Sequence, residues 1–573
     1  AAEPCAGGPA RVAAVWGPAR AETLRRMFGA TGLPQAEAAW RGAVDQLDAY
    51  GRRWALAHRD ACLATRVRGE QSERLLDLRM ACLDNRLADL DAVVAVLAAP
   101  DRQLVIDAEA TARRLPSVAA CDEAAARRLL PALPDDPAVR GWVQAIEAQL
   151  AAARARLTAG RYAEGRALVA PVRVAAAVLG DRPLEADVLL VAGRLERATS
   201  DLARSRRTLA AGLRAATAGR HDAAAAELAL EVMRGAIDLD YGDEVDAIVA
   251  DAQAWVDRLG DPRLAARLLD LRGSLALRRN DFAAARALLR QALTTYRVEA
   301  VDDPLVVASV LRRLSLIDQL EGNFAAADAS GREAVDTIAR ALGPWHPEAL
   351  GIRSNLAVGL GDRGAWAASL AEHAAILALR EQVLGPAHLD VAMSLYGVAR
   401  AQLRLGRLSE AAAAAARVLA IRAAVLPPDA IEIGEAHGMI GRIALAGGRA
   451  AEARPHFVTA AACYAAHLGL AHPARAVALG EQAAADLALG DAVAALATAR
   501  AALALDVADY PAVRAELTLV AVQALTARGP AGVAEARPLA ERARADFAAA
   551  AAGERIGLPA LEAWLAAHPP APR

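Results

Sequence analysis

The amino-acid sequence predicts an all-α protein, with a helical N-terminal domain followed by a long array of antiparallel helix pairs. Three observations lead there. The 573 residues are 55% hydrophobic but only 3% aromatic, and alanine and leucine, both strong helix formers, supply most of the apolar total. A segment reading "LGPWHPEAL" at 342–350 returns as "LGPAHLDVA" from Leu384, "LPPDAIEIG" from Leu426 and "LGLAHPARA" from Leu468, a spacing of 42 residues each time. Upstream of residue 136 that phase is absent, yet Leu75, Leu78, Cys82, Leu87 and Leu90 recur at helical spacing, the pattern of an amphipathic helix.

The first element is therefore a domain over 1–135. "GLPQAEAAWRGAVDQLDAYGRRWALAHRDACLAT" predicts a long amphipathic helix, "RVRGEQS" a turn, and "ERLLDLRMACLDNRLADLDAVVAVLAA" a second helix, together a helical hairpin. Arg66, Arg68, Glu70 and Gln71 stand at its tip, either as a solvated turn or as a contact point to the first helix pairs or a ligand.

Four of the five cysteines, Cys5, Cys62, Cys82 and Cys121, lie in this domain. No two have the CxxC spacing of a zinc or redox motif, so no metal is expected. They predict either two disulfides, and with them an oxidising compartment, or buried free thiols. Cys62 falls near the hairpin turn and Cys82 about three turns down the second helix. That offset disfavours a bond needing Cα atoms within about 7 Å. Of the three connectivities, Cys5–Cys62 with Cys82–Cys121 is preferred. Cys463 stands alone downstream and reads as core.

The second element, over 136–555, is the array. Gly273, Ser315, Ala357, Ala399, Gly441 and Ala483 are all small and 42 residues apart. Twelve residues after each comes Ala285, Ala327, Ser369, Ala411, Ala453 or Ala495. Between the two series lie Asn280, Gly322, Gly364, Gly406, Gly448 and Gly490, each followed two residues later by Phe282, Phe324, Trp366, Leu408, Ala450 or Ala492. Four series kept in phase over six copies are architecture. Small residues facing each other let helix A and helix B of one unit approach closely, and glycine supplies the turn.

This pattern resembles the tetratricopeptide repeat, whose small residues at its eighth and twentieth positions match both series. The 42-residue period and the "LGPxHP" link are similar to the kinesin light-chain type. Leu342 then ends one helix B, Gly343 and Pro344 break it, and Pro347 opens the next helix A. "AGRYAEGRALV" from Ala159 fits more loosely, with Tyr162 in the aromatic slot and Gly165 where alanine usually sits. Further pairs follow around Leu202 and Val245, and "GPAGVAEARPLAERA" from Gly529 reads as a last copy with a displaced turn. The resemblance implies about nine to ten units wound into a right-handed superhelical solenoid, with 556–573 as a C-terminal tail.

Composition excludes several functions. With 66 basic and 68 acidic residues and a net charge of −2, there is no footprint for nucleic acid and no one-signed surface for a membrane. Every basic residue is arginine, as codon bias in a GC-rich genome would give. Without lysine, a Walker loop, a protein-kinase core and a Schiff-base enzyme are all incomplete. "GLGDRG" at 359–364 matches GxGxxG, but it closes helix A of a repeat instead of following a strand. His346, His388 and His472 recur once per repeat, with Ala430 in the third copy. They should stand roughly 10 Å or more apart along a solenoid, too far to share a metal. No Ser/His/Asp, Cys/His or paired-carboxylate motif appears, so no catalytic residue and no cofactor is expected.

The longest stretch without acidic or basic residues, 455–474, carries three histidines and two prolines and does not read as a membrane span. "AAEPCAGGPA" lacks a signal-peptide pattern. It resembles a mature or truncated start, as expected where an upstream targeting or transmembrane segment has been removed.

"CLATRVRGEQSERLLDLRMACLDNRLADL", from Cys62 to Leu90, resembles the segment after the transmembrane helix in bacterial serine/threonine protein kinases with tetratricopeptide C-termini. That resemblance implies a kinase domain N-terminal and cytoplasmic, with the helical and repeat regions beyond the membrane. The Gly-rich loop, HRD and DFG motifs are missing here, so this chain phosphorylates nothing by itself. It implies instead the extracytoplasmic sensor or partner-binding region of such a receptor, membrane-tethered through a missing upstream segment. The alternative is a free-standing cytoplasmic adaptor that assembles a protein complex.

In a repeat solenoid, helix A of each unit lines the concave side, where a protein or peptide ligand is expected. Counting six and three before, and one and four after, each first small residue gives the groove positions. Their polar or aromatic members include Arg267, Asp270, Ser274, Ser309, Arg312, Gln319, Ser354, Tyr396, Arg400, Glu435 and Arg442, with Arg278, Asp362 and Arg404 adjacent. Arg312, Arg400, Arg404 and Arg442 would form a basic strip able to grip carboxylates through bidentate contacts. The alternative is a solvated inner face with local salt bridges.

Overall fold

A computed structural model describes residues 5–129, 131, 133–239, 244–299, 303–505, 507–550 and 557–569. Among them there are helices, turns and bends but no strand. The chain divides into two compact units, Ala1–Ile352 and Arg353–Arg573.

The first unit opens with α1 (Gly8–Val15), α2 (Pro18–Ala30), α3 (Ala36–Arg66), α4 (Glu73–Leu97), α5 (Arg102–Arg113), a 3-10 turn at Val118–Cys121 and α6 (Glu123–Leu129). The hairpin is α3 and α4. Ser72 caps α4, its hydroxyl accepting from the Leu75 amide, which satisfies one of the amides a helix start leaves open. The segment is more than a hairpin, because α1, α2 and α5 pack onto it. Trp16, Leu24, Phe28, Trp40, Leu47 and Trp54 form one core with Leu83, Leu90, Leu97 and Leu104. Trp54 Nε1 donates to the Leu83 carbonyl at 2.6 Å.

Helix pairs follow: α7/α8 (Pro137–Thr158, Tyr162–Leu179), α9/α10 (Arg182–Ala198, Leu202–Ala218), α11/α12 (Asp222–Asp238, Glu244–Leu259), α13/α14 (Pro262–Arg278, Phe282–Val298) and α15/α16 (Pro304–Leu320, Phe324–Leu342). The core of the N-terminal segment extends onto the first of them through Ala151, Ala155 and Ala159. The boundary expected at 135/136 is therefore bridged by shared packing.

Pairs continue as α17/α18 (Pro347–Asp362, Trp366–Leu384), α19/α20 (Leu389–Arg404, Leu408–Val425), α21/α22 (Ile431–Ala446, Ala450–Leu468), α23/α24 (Pro473–Ala488, Ala492–Leu503) and α25/α26 (Pro511–Thr526, Pro530–Ala549). The division between the units falls inside α17. Residues 556–573 contain a helix, α27 (Leu558–Ala567). Its Leu561 and Leu565, one turn apart, join Phe547 and Leu525 in a common core. The segment expected as a tail thus carries a helix that packs on the last pair.

The periodic positions carry the repeat as their chemistry requires. Phe282, Phe324, Trp366, Leu408, Ala450 and Ala492 each open a helix B. Asn280 and the five turn glycines from Gly322 to Gly490 all have positive φ, between 58° and 84°, a region glycine enters without steric cost. The facing small residues are buried, and in two copies they touch by hydrogen bond. Ser315 Oγ donates to the Ala327 carbonyl at 2.8 Å, and Ser369 Oγ to that of Ala357 at 2.7 Å.

A Cβ added at Gly441 would lie 2.7 Å from the Phe457 ring. Gly441→Val is expected to destabilise the second unit by about 1–3 kcal/mol through overpacking, read as a lower denaturation midpoint.

The link segments prove to be capping devices. Gly343, Gly385 and Gly469 have φ of 94°, 89° and 91° and end their helices. The linker histidines are N-caps: Nδ1 of His346, His388 and His472 accepts from the amides of Glu348, Asp390 and Ala474 at 3.3, 3.1 and 3.1 Å. At the third copy Ala430 offers no such side chain.

Another periodic device went unread in the sequence. Arg380 and Arg422, 42 residues apart, are both buried. Their Nη1 groups donate to the carbonyls of Asp390 (3.0 Å) and Glu432 (2.5 Å), in the first turns of α19 and α21.

Candidate functional site

In the first unit the A-helix side of the array is already covered by the chain itself. Ala110 of α5 belongs to one hydrophobic cluster with Ala266, Leu289, Ala308, Leu314 and Ile352. Arg114 Nε lies 3.4 Å from Asp303, and His346 Nε2 lies 3.8 Å from Asp107. Trp345 packs on the core of the N-terminal segment. Burial, then the nearby Arg114 guanidinium, push the His346 imidazole down to about 4. Between α4 and helices α7, α9 and α11 there remains a cavity of about 350 Å³, whose walls include Arg86, Asp89, Arg154, Asp187 and Arg194.

Of the groove residues predicted in this unit, several are committed to partners. Arg267 bridges Glu227 (2.6 Å) and Glu231, which also holds Arg194 at 2.8 Å. Burial disfavours the Glu231 carboxylate, but Arg194, Arg267, Arg234 and Arg197 outweigh it and hold its pKa far below the ordinary range. Asp270 pairs with Arg313, whose other nitrogen reaches Ser309 Oγ at 3.3 Å. Ser274 Oγ donates to its own helix, at the Asp270 carbonyl. Arg312 and Gln319 make no side-chain hydrogen bond or ion pair among the described residues. Both are part-buried.

In the second unit the predicted residues are brought together across repeats. Arg442 on α21 donates from Nη1 to Glu481 of α23 at 2.8 Å and from Nη2 to the Tyr396 hydroxyl of α19 at 3.2 Å. Three successive A helices are thereby linked through one side chain. Burial opposes the Arg442 charge, but Glu481 and then Tyr396 prevail, so its pKa is raised. The Arg422 guanidinium lies 5.5 Å from the Tyr396 ring centroid and 3.2 Å from Glu435. Arg400 and Arg404 stand over one indole, that of Trp366, at 5.2 and 5.1 Å, a cation–π arrangement. Arg400 also pairs with Asp362 at 2.5 Å.

The arginines of the expected strip thus sit in a mixed field: Asp362, Glu435 and Glu481 lie among them. Sequence reasoning missed Trp366, Arg422 and Glu481. The first two had a signal, as members of 42-residue series. Glu481 did not, since only the stacking of α21 on α23 puts it beside Arg442.

The disulfides are Cys5–Cys62 (Cα–Cα 5.7 Å) and Cys82–Cys121 (5.6 Å). Cys463 is a buried free thiol. Arg68 at the hairpin tip pairs with Asp60 and Glu70 at 2.9 and 2.6 Å. Gln71 is buried, its Nε2 donating to the Ala61 carbonyl at 2.7 Å. Among the described residues no three His, Cys, Asp or Glu side chains converge on one metal position. No helix there is long and apolar enough to cross a membrane.

The tetratricopeptide repeat family model matches residues 348–424. The apo form of RapI superposes with a TM-score of 0.50 at 12% identity, over 64% of this chain and 98% of that one; at that identity the likeness is one of fold. Nearly identical TPR-like repeats assigned to a kinesin light chain of Podosopora anserina match at 23% identity over 37% of this chain and 99% of theirs, with a TM-score of 0.32. BtubC from P. vanneervenii matches at 19% identity over 43% of this chain and 91% of its own, with a TM-score of 0.33. No curated protein matches the sequence.

Proposed function

We propose that this chain, whose helix pairs are tetratricopeptide repeats, is a non-catalytic scaffold that holds a protein or peptide segment along the A helices of its second unit. The observation that carries the reading is the Tyr396–Arg442–Glu481 link. It sets an aromatic ring, a guanidinium and a carboxylate in a fixed row across α19, α21 and α23, and Arg400 and Arg404, on the same helix as Tyr396, stand over the Trp366 ring at the start of α18. Such a row recognises an extended segment through charge-assisted hydrogen bonds, and its side chains are pre-ordered, which lowers the entropy lost on binding. In the first unit the corresponding side is occupied by the chain's own N-terminal segment, so the second unit is the one assigned to the partner.

In the finer form of the proposal, the chain is the extracytoplasmic sensor region of a receptor-type bacterial serine/threonine kinase. Two disulfides support an oxidising compartment, and the segment 62–90 supplies the family likeness. A photo-crosslinking residue at position 396 is expected to capture a discrete partner in the native host. The same residue at Val425, exposed at the end of a B helix, should not. Equal capture at both positions, or none at 396, overturns the binding face. For the receptor form, the reading frame around this sequence is expected to encode a kinase domain and a membrane span. A frame lacking them leaves the cytoplasmic adaptor.

A further inference from the structure

The repeat brings together two histidines that lie 19 residues apart and match no metal motif in the sequence. His437 on α21 and His456 on α22 face each other with Nδ1 to Nδ1 at 2.8 Å, their rings 5.0 Å apart and inclined at 32°. Both rings are part-buried, and neither makes another hydrogen bond among the described residues.

The fold does not ask for histidine here. His437 stands four residues before its unit's first small residue and His456 three after the second. The neighbouring units place Leu395 and Ala414, or Leu479 and Thr498, at those two positions. Two units upstream the same positions carry Arg353 and Glu372, which form an ion pair at 2.9 Å. The repeat thus brings these two positions together with other residues on them: Arg353 pairs with Glu372, and Leu395 shares a hydrophobic cluster with Ala414. A nonpolar pair or an ion pair serves the packing, and one unit has two imidazoles instead.

We propose that His437 and His456 form a two-nitrogen site for a divalent ion of the Zn2+ and Cu2+ class, with water or a group of a docked partner completing its coordination. Imidazole is a preferred ligand of these borderline ions. Two Zn–N bonds of about 2.0–2.1 Å at a tetrahedral angle span roughly 3.3 Å between the nitrogens, so the rings need part by only about half an ångström. Two part-buried side chains on adjacent helices can give that much by small χ rotations. Burial lowers the pKa of both rings; the facing His456 lowers that of His437 further, while Glu452 partly offsets the effect of burial at His456. Both stay in the neutral, ligating form at physiological pH.

The step balances without a redox partner. In the metal-free pair one Nδ1–H donates to the other Nδ1. On binding, that ring gives up its Nδ1 proton to water and takes one at Nε2, so both Nδ1 lone pairs point at the ion and no net proton is released. The site does not depend on the peptide-binding reading above.

The test is isothermal titration of the untagged, full chain with Zn2+ and, separately, Cu2+ at neutral pH, in parent and in His437→Leu and His456→Leu. Leucine at 437 is the residue neighbouring units already use, so that variant keeps the packing. Circular dichroism confirms that both variants are folded. The parent is expected to bind one equivalent, and each single variant to lose affinity by more than about tenfold, since even outer-sphere substitutions cost that much. No saturable binding in the parent, or binding that survives either substitution, overturns the site.

Discussion

Replacing Cys82 and Cys121 together by alanine will destabilise the N-terminal helical segment by about 4 kcal/mol, the chain-entropy value for a loop of this size. The bond closes 39 residues and ties α4 to the 3-10 turn at Val118–Cys121. The loss extends beyond loop entropy, because Cys121 is also an anchor for a buried cation. Arg79 donates from Nε to the Cys121 carbonyl at 3.2 Å, from Nη1 to Gln71 at 3.0 Å and from Nη2 to Asp60 at 2.9 Å. With the turn released, that guanidinium loses one of its fixed acceptors while remaining in the interior, where an under-satisfied charge is costly. Hydrogen exchange read by mass spectrometry checks this. Amides of α3, α4 and α5 should lose protection in the variant, and at least as much in the parent after reduction, which also opens Cys5–Cys62, while α19–α23 in the second unit should not change. Unaltered protection of α4 would falsify the stapling role.

Glu231→Gln should cost the first unit about 3–5 kcal/mol, the range for removing one partner of a buried ion network. One carboxylate at this point serves Arg194, Arg267, Arg197 and Arg234, and glutamine has the shape but not the charge. The pH dependence has a definite sign. The folded-state pKa of Glu231 lies below its ordinary value, so its contribution is fully present above the unfolded pKa of about 4.3. It is lost as pH falls through the folded pKa. Parent and variant should therefore differ most near neutrality and converge in strong acid. Denaturant midpoints of the first unit, followed at several pH values through the exchange of α9, α11 and α13, read the difference. A gap that widened on acidification would contradict the network.

Helix ends and turns were legible because they depend on residues adjacent in the chain. Positive φ at Gly322, Gly364, Gly406, Gly448 and Gly490 follows from glycine recurring in phase. The small residue twelve positions before or after is the local requirement for two helices in contact. The link segment announced its breaks through Gly343 and Pro344, although the capping role of His346, His388 and His472 needed the backbone geometry to be seen. Groove positions could be counted, but not the state of the side chains on them. Arg267 looked available for a ligand until Glu227 and Glu231 of a neighbouring A helix proved to hold it. Arg442 gained Glu481 from the next unit, but Glu481 and Tyr396 accept only two of its five N–H donors, which orders the side chain and leaves donors for a ligand.

The all-α class, the 42-residue unit, the facing small residues and the helix-opening positions could be read from the residues alone, since each is a matter of conformation within one helix pair. Packing in three dimensions settles which charges neutralise one another, that α5 covers the A-helix side of the first unit, and that His437 meets His456. Those outcomes depend on side chains that approach through stacked helices, where separation along the chain no longer indicates separation in space.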